Sequence, residues 1–183
     1  MYNILGEIAC RIIRTAKKLG VKTVAVYSEP DASSMFVRMA DEAYCIGPAA
    51  SKDSYLRMDR ILEVAKKSGA QGIHPGYGFL SENAKFVDMV EAAGIKFIGP
   101  SSYPMNAMGD KINSKKIAMD AKCFIIPGYQ GEVLDEDHCV KLAAEVGYPV
   151  MIKASAGGGG KGMRVAFNEA DCREGFRLSK VFT

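Results

Sequence analysis

Short apolar strands alternate with amphipathic helices over the first hundred residues, and this alternation restricts the fold more than any other feature of the sequence. Strands are predicted at 23–27, 72–74 and 96–98, where β-branched and other apolar residues are grouped. Apolar residues also recur at helical spacing at about 8–19, 53–67 and 81–93. Regular alternation builds a parallel sheet covered by helices on both faces. The sequence therefore predicts an α/β fold with a Rossmann-like parallel sheet.

The first strand of this sheet has few residues available to it. Only Tyr2-Asn3-Ile4-Leu5 precedes Gly6-Glu7, where the first helix is predicted to begin. Such a strand is short for the centre of a doubly wound sheet. We therefore expect the packing of the first domain to be weakened at this point.

After Gly99-Pro100 the alternation gives way to an α+β pattern. Short helices are predicted over 103–121, a strand ends at Ile125-Ile126, and a helix covers 135–146. Two strands then flank a glycine-rich tract, and a last helix is predicted at 169–179. The expected domains are 1–100, a helical connector at 101–125, and the beginning of an incomplete second domain at 126–183.

The most unusual segment runs from Val150 to Val165 and contains four consecutive glycines, Gly157–Gly160. Glycines have no side chains to pack, and ordering them costs more backbone entropy than ordering other residues. Bare backbone instead lets N–H groups approach a large anion closely. Because apolar strands flank the tract, we expect the tip of a hairpin that covers a polyphosphate, with ATP as the ligand.

Known phosphate-binding loops differ from this tract. A Walker A loop requires a glycine where Ser155 stands and a hydroxyl where Gly162 stands. Gly157, Gly159 and Gly162 match the dinucleotide fingerprint, but that motif opens a helix, whereas Met163–Phe167 predicts a strand. A glycine flap also covers nucleotide in protein kinases, and the other kinase motifs are absent from this sequence.

Three lysines and a methionine are further candidate nucleotide ligands. Lys153 ends a strand that is predicted to be buried, where an ammonium group needs an anionic partner, unless its side chain extends to solvent. Lys161 either contacts phosphates or points to water. Lys111 is either a second ligand or the solvated start of a helix, and Met163 either lines an adenine pocket or packs within the hairpin.

A second unusual segment, His74–Asn83, follows a predicted strand and precedes a predicted helix. Open α/β sheets bind ligands at the carboxyl ends of their strands, and a turn containing Tyr77 and Gly78 can present backbone N–H groups to a small ligand. The alternative is a tight loop with a packed tyrosine, in which His74 is a hydrogen-bonded core residue. Ser81 is expected to cap the following helix.

Composition argues against several other classes of protein. With 48% hydrophobic and 25% charged residues, the sequence is of an ordinary soluble globular type, and a net charge of +3 gives no bulk attraction for nucleic acid. Five cysteines without C-x-x-C spacing argue against a metal site or a disulfide framework and favour a reducing compartment. No apolar run approaches the ~18 residues of a membrane helix, and no secretory signal is recognisable, so we expect neither membrane insertion nor secretion.

Together these segments resemble the biotin carboxylase family. The similarity runs in order along nearly the whole chain, and its most specific parts are the ten-residue block after the 72–74 strand and the glycine hairpin. The similar blocks are Gly6–Ile12, Ala40–Ala43, His74–Asn83, Phe97–Ser101, Met108–Lys111 and Gly147–Met163.

The resemblance implies an ATP-grasp enzyme that activates bicarbonate with ATP, through carboxyphosphate, and carboxylates N1 of biotin. The first domain would be the pre-ATP-grasp domain, and the second the beginning of the ATP-grasp lid. Tyr77 and Gly78 would lie beside the ureido ring of biotin. By position, the ATP-binding residues would be Lys111, Lys153, Gly157, Gly158, Gly159, Gly160, Lys161, Gly162 and Met163.

Within the family, the chain is most similar to the α subunits of acyl-CoA carboxylases. Asp110-Lys111 and Ala154-Ser155-Ala156 favour propionyl-CoA over methylcrotonoyl-CoA or acetyl-CoA as the acyl substrate. The resemblance implies ATP, Mg²⁺, biotin and bicarbonate as cofactors and substrates. Its implied partners are a carboxyltransferase β subunit, a biotin carrier domain and further copies of the parent domain. It also implies the mitochondrial matrix of a eukaryote or the cytoplasm of a bacterium.

Two departures from the family pattern affect what we expect. In the family a strand ending in Ala-Asn-Arg precedes Gly6-Glu7, and here several of those residues are missing. The family's carboxyl-terminal half, with its magnesium-binding acids, its bicarbonate base and its reaction-centre arginine, does not follow Thr183. We therefore expect no catalytic or metal-binding residue here and no activity from this chain alone, which bicarbonate-dependent ATP cleavage would contradict. Another ATP-grasp ligase and a non-catalytic binding polypeptide are the alternatives.

Overall fold

The chain folds as two units, residues 1–109 and residues 110–183. The structure, a computed structural model, describes residues 2–3, 6–129, 131–154 and 162–180. Within these ranges no helix is both long enough and apolar enough to cross a membrane.

The first unit alternates strands and helices along the chain, as the sequence predicted. Short 3₁₀ turns at Glu29–Asp31 and Ser51–Asp53 interrupt the connections. Its strands and helices are β1 (Tyr2–Asn3), α1 (Gly6–Lys18), β2 (Val24–Ser28), α2 (Met35–Met39), β3 (Glu42–Gly47), α3 (Met58–Lys67), β4 (Gly72–Ile73), α4 (Ala84–Ala92), β5 (Lys96–Phe97) and α5 (Ser102–Gly109).

The five strands of this unit form one parallel sheet in the order β3-β2-β1-β4-β5. This order places the first strand at the centre and reverses direction there, as in a Rossmann-like doubly wound sheet. The predicted α/β fold class is confirmed.

Helices cover both faces of the sheet because side chains alternate along each strand. Ala25 of β2 faces one apolar cluster, in which Ile13 of α1 and Phe36 of α2 are buried. Val24 and Val26 face the opposite cluster, which also contains the larger set Ile61, Leu62, Ile73, Phe86, Val87, Val90 and Phe97. The second cluster is the main core of the unit and contains residues of β2, β4 and β5.

The central strand is short in the described residues. Tyr2 pairs with Val24 on one side and with Ile73 on the other, and Asn3 pairs with Ala25. The helix α1 begins at Gly6, whose φ of 59° lies in the left-handed region. β2 continues beyond this register, and Val26, Tyr27 and Ser28 pair with β3 on its other side.

Some predicted boundaries in this unit are wrong. α4 begins at Ala84, because the side-chain oxygen of Asn83 accepts a hydrogen bond from the backbone N–H of Phe86 (2.9 Å). Ser81 is therefore not the cap, and its N–H donates to the Gly78 carbonyl (2.9 Å) within a turn. α3 begins at Met58, several residues after the predicted start.

The second unit contains α6 (Lys111–Asp120), α7 (Glu136–Val146), β6 (Val150–Lys153), β7 (Met163–Ala166) and α8 (Glu169–Lys180). β6 and β7 pair in antiparallel fashion, which confirms the predicted hairpin arms. Cys139 and Ala143 of α7, Ala166 of β7, and Cys172 and Phe176 of α8 form the buried core. α7 and α8 therefore each bury one side against the two-stranded sheet or against each other.

The predicted strand at Ile125-Ile126 is wrong within the described residues, where this segment has no regular structure. Phe124 and Ile126 are exposed. An apolar strand needs a neighbouring strand to receive its backbone hydrogen bonds, and the described residues place none beside it. The division at residues 100 and 125 stays a prediction.

Phe86 provides a test of the main core. Its side chain is fully buried and packs edge-to-face on Phe97, with ring centroids 6.2 Å apart. We expect Phe86→Ala to lower the free energy of unfolding by about 3–5 kcal/mol, because it leaves a cavity. Urea denaturation followed by circular dichroism would measure the change.

The matched control is Phe124→Ala, since Phe124 is fully exposed. We expect this variant to change the free energy of unfolding by less than about 0.5 kcal/mol. Equal effects of the two substitutions would contradict the assignment of the core.

Candidate functional site

The hairpin β6–β7 positions two of the predicted nucleotide ligands opposite each other. Lys153 pairs with Met163 at the end of the ladder, and beyond them the Ala154 N–H donates to the Gly162 carbonyl (3.0 Å). The chain between these residues carries the glycine tract. Gly157, Gly158, Gly159, Gly160 and Lys161 lie outside the described residues, so their predicted role stays a prediction.

Lys153 is exposed in the structure, which corrects one premise of its assignment. The strand β6 was predicted to be buried, yet its residues alternate between half-buried and exposed. The reason is that, in the part of the chain that the structure describes, β6 pairs with β7 alone and is covered by helices on one side. Burial therefore does not force an anionic partner on Lys153, and its ammonium group is instead accessible to a ligand.

Gly162 has a structural role that the sequence did not indicate. Its φ of 74° is a left-handed conformation that favours glycine. Its carbonyl accepts a second hydrogen bond, from the buried hydroxyl of Ser179 in α8 (3.3 Å). One end of the glycine tract is therefore tied to the helix behind the hairpin.

The other two predicted nucleotide residues are placed less completely. Met163 is 37% exposed, so part of its side chain is accessible to a ligand, and its contact with adenine stays a prediction. Lys111 is the first residue of α6, where the Asp110 carboxylate accepts from the N–H groups of Ile112 (3.1 Å) and Asn113 (2.6 Å). This capping explains why Asp110 precedes Lys111, and it leaves the function of Lys111 a prediction.

The predicted biotin residues lie in the loop between β4 and α4, in the first unit. Gly76, Gly78 and Phe79 have φ values of 69°, 73° and 43°. A left-handed conformation is rare for a bulky residue such as Phe79, and strain of this kind persists only where the surroundings enforce it. Tyr77 is 68% exposed, so it is not the packed tyrosine of the alternative interpretation.

Tyr55 holds the strained end of this loop. Its ring contacts the ring of Phe79, with centroids 5.4 Å apart. Its buried hydroxyl accepts from the Ser28 N–H (2.9 Å) and donates to the Asp31 carboxylate. Burial, together with this bond to Asp31, raises the pKa of Tyr55 to about 12. These contacts of Tyr55, called here the Tyr55 brace, were not predicted, because the residues involved are distant along the chain.

His74 fixes the other end of the loop. Its Nδ1 accepts a hydrogen bond from the Gly76 N–H (3.1 Å), which requires a neutral ring with the proton on Nε2. The residue is half-buried and lines, with Tyr77, a cleft of about 320 Å³ against α1, where Arg11 is the charged neighbour. Burial lowers the pKa of His74, which keeps the ring neutral at physiological pH.

The described residues do not supply a metal site. Among them no three histidine, cysteine, aspartate or glutamate side chains come together in a way that could hold an ion.

Comparison with families identifies the class of protein. Residues 3–105 match the biotin carboxylase N-terminal domain, and residues 110–182 match the ATP-binding domain of the carbamoyl-phosphate synthase L chain. The first match covers more than half of the chain. The chain therefore belongs to the biotin carboxylase family.

Two curated relatives make the similarity more specific. The mitochondrial propionyl-CoA carboxylase alpha chain of Caenorhabditis briggsae is 63% identical over 175 residues, which are 96% of this chain. The human protein of the same name is 59% identical over 174 residues, or 95% of this chain. Each match covers 24% of the relative, so the chain spans about a quarter of the length of these proteins.

Two solved structures share the fold. A biotin carboxylase from Campylobacter jejuni in a β,γ-ATP complex is 44% identical, with a TM-score of 0.93. The biotin carboxylase domain dimer of Hydrogenobacter thermophilus 2-oxoglutarate carboxylase, with MgADP, ADP and bicarbonate, is also 44% identical, with a TM-score of 0.89. Each comparison covers 99% of this chain and 41% of the other.

Protonation of His74 should weaken the first unit. Because burial lowers the pKa of His74 below its ordinary value of 6.5, the unfolded chain takes up this proton more readily than the folded chain. Titration of His74 therefore does not lower the free energy of unfolding above about pH 6.5. Below that pH the free energy of unfolding falls, because the unfolded chain binds the proton more tightly.

The test compares the parent chain with His74→Asn, whose side-chain oxygen can still accept from the Gly76 N–H but does not titrate. Urea denaturation at about pH 7.5 and about pH 5.5 would give both free energies of unfolding. We expect the parent to lose more stability than the variant on acidification. Equal losses would show that His74 does not titrate differently on folding.

Proposed function

We propose that this chain forms the amino-terminal part of a biotin carboxylase, which uses ATP and bicarbonate to carboxylate biotin. Membership of the family supports the proposal, and the solved relatives that bind ATP, or ADP and bicarbonate, support the choice of substrates. The observation that carries it is the hairpin, in which an exposed lysine and an exposed methionine face each other at the two ends of a glycine tract.

In this proposal the hairpin residues bind the nucleotide. The ammonium group of Lys153 neutralises phosphate charge at the end of β6, and Lys111 and Lys161 add positive charge. The glycines, Gly157–Gly160, offer backbone N–H groups to the phosphates, and Met163 contacts the adenine. Fixed charges and dipoles aimed at the transferring phosphoryl group are the principal means by which proteins accelerate this chemistry.

The loop between β4 and α4 receives biotin in this proposal. Gly78 has open space where a side chain would stand, so a planar ring can approach its backbone closely. Tyr77 offers an exposed ring and hydroxyl beside it. The braces at His74 and Tyr55 hold the loop in one conformation, which reduces the entropy lost when a ligand binds.

The finer assignments follow the relatives. We propose propionyl-CoA as the acyl substrate of the whole enzyme and a carboxyltransferase subunit and biotin carrier domain as its partners, since both curated relatives are propionyl-CoA carboxylase alpha chains. A mitochondrial location is supported by the same names. Self-association of the domain is supported by the dimer in the Hydrogenobacter structure.

The proposal can be tested in a chimera. This chain would replace the matching segment of the human propionyl-CoA carboxylase alpha chain, once from Met1 and once from Gly6 so that the host keeps its own first strand. We expect the Gly6 chimera to cleave ATP in a bicarbonate-dependent manner and to carboxylate biotin. A folded Gly6 chimera that does neither would contradict the proposed function.

Lys153 is tested in the active chimera. A hydrogen bond to a charged group contributes about 1.5–3 kcal/mol, so Lys153→Ala should raise the KM for ATP about tenfold or more. The matched control is Lys141→Ala, because Lys141 is an exposed lysine of α7 in the same unit. An unchanged KM in Lys153→Ala would show that this lysine extends to solvent without binding phosphate.

A further inference from the structure

Two cysteines that are distant in sequence touch in the core of the second unit. The Sγ atoms of Cys139 in α7 and Cys172 in α8 lie 3.4 Å apart. Both side chains are buried, at 5% and 0% exposure, within the cluster that includes Phe176. Both are free thiols in the structure. The proposed ATP and biotin chemistry uses neither of them.

The two sulfurs are in direct non-bonded contact. A disulfide has an S–S length of about 2.05 Å, so the two sulfurs would need to approach by about 1.4 Å. Formation of the bond therefore requires a rearrangement of the two side chains. Two other contacts fix the helices side by side, the ion pairs Arg173–Asp137 (2.7 Å) and Arg177–Glu136 (2.7 Å).

We propose that Cys139 and Cys172 form an oxidisable dithiol, which a small-molecule disulfide such as oxidised glutathione converts into a disulfide between α7 and α8. One thiolate attacks the oxidant and forms a mixed disulfide, releasing one reduced thiol. The second cysteine then displaces the remaining thiol. Two protein thiols are oxidised, and one external disulfide is reduced to two thiols.

The position of the pair determines what its oxidation would do. The segment between Cys139 and Cys172 contains most of α7, both arms of the hairpin and the glycine tract. A disulfide would therefore close a loop around the hairpin and its glycine tract, though not around Lys111. Closing such a loop removes conformations from the unfolded chain and stabilises the folded one. Neither cysteine is among the proposed ATP ligands, so the effect is on the stability of the hairpin.

Burial makes the reaction slow and conditional. Loss of solvent, and then the neighbouring Cys172, raises the pKa of the Cys139 thiol, so little of the reactive thiolate exists at neutral pH. The exposed Cys45 and Cys123 have no such protection. We therefore expect the dithiol to be oxidised when α7 and α8 separate transiently. Cys139 and Cys172 should also react with an alkylating reagent more slowly than the exposed cysteines do.

The experiment uses the 183-residue chain with Cys45→Ser and Cys123→Ser, which removes the exposed thiols. The chain is incubated under native conditions with oxidised glutathione, quenched with excess N-ethylmaleimide in denaturant, digested and analysed by mass spectrometry. We expect a peptide pair linked through Cys139 and Cys172 that lacks two hydrogen atoms. We also expect thermal unfolding at a higher temperature, and dithiothreitol should reverse both effects.

Cys139→Ala in the same background is the control, and it should show neither the linked peptides nor the thermal shift on oxidation. The linked peptides are measured in the chain that retains both Cys139 and Cys172, so this result can be interpreted even if the Cys139→Ala control folds poorly. Recovery of only alkylated or singly glutathionylated Cys139 and Cys172 would overturn the proposal. Linkage that forms only after the chain is denatured would overturn it as well.

Discussion

Pairing of the short central strand with its two neighbours is the constraint on which the first unit depends. Tyr2 and Asn3 join the β3-β2 pair to the β4-β5 pair through backbone hydrogen bonds. The main apolar cluster spans the same junction, since it contains Val26 of β2 together with Ile73 and Phe97. Side-chain packing on that face therefore supports the same junction as the backbone pairing.

Different contacts stabilise the two proposed ligand-binding elements, the loop after β4 in the first unit and the β6–β7 hairpin in the second. The loop after β4 is held by contacts from residues far away in sequence, chiefly the ring and hydroxyl of Tyr55. The arms of the hairpin are held by their own backbone ladder and by the helices on one side. In the proposed function, the loop after β4 is held in one conformation and binds the small ring of biotin. The hairpin contacts the phosphate chain of ATP from one side.

The sequence predicted the parts of the fold that depend on local pattern. The buried strand β2 and the helices α1, α7 and α8 follow from apolar spacing and from caps such as Gly147, and the hairpin follows from two apolar runs around the glycines. The edge strand β3 was not predicted, although Ala43–Ile46 is an apolar run, and only Ile46 of this strand is buried. The strand at Ile126 was predicted but needs a partner that local pattern does not reveal.

The sequence predicted which residues form the candidate site, but it did not predict the contacts that hold them in place. The exposed positions of Tyr77 and Met163 agree with ligand contact, yet exposure also overturned the reason first given for Lys153. Tyr55 and Cys172 act through contacts with residues that are remote in sequence. Such contacts arise from the tertiary arrangement, and a single sequence carries no direct sign of them.

The bond from Ser179 to the carbonyl of Gly162 has a mechanical consequence for the hairpin. It links Gly162, just before β7, to the final turn of α8, whose Phe176 is buried in the core of the second unit. Gly162 is also held by the bond from the Ala154 N–H. A displacement of α8 would therefore be transmitted through the Ser179 hydroxyl to the residue from which β7 starts.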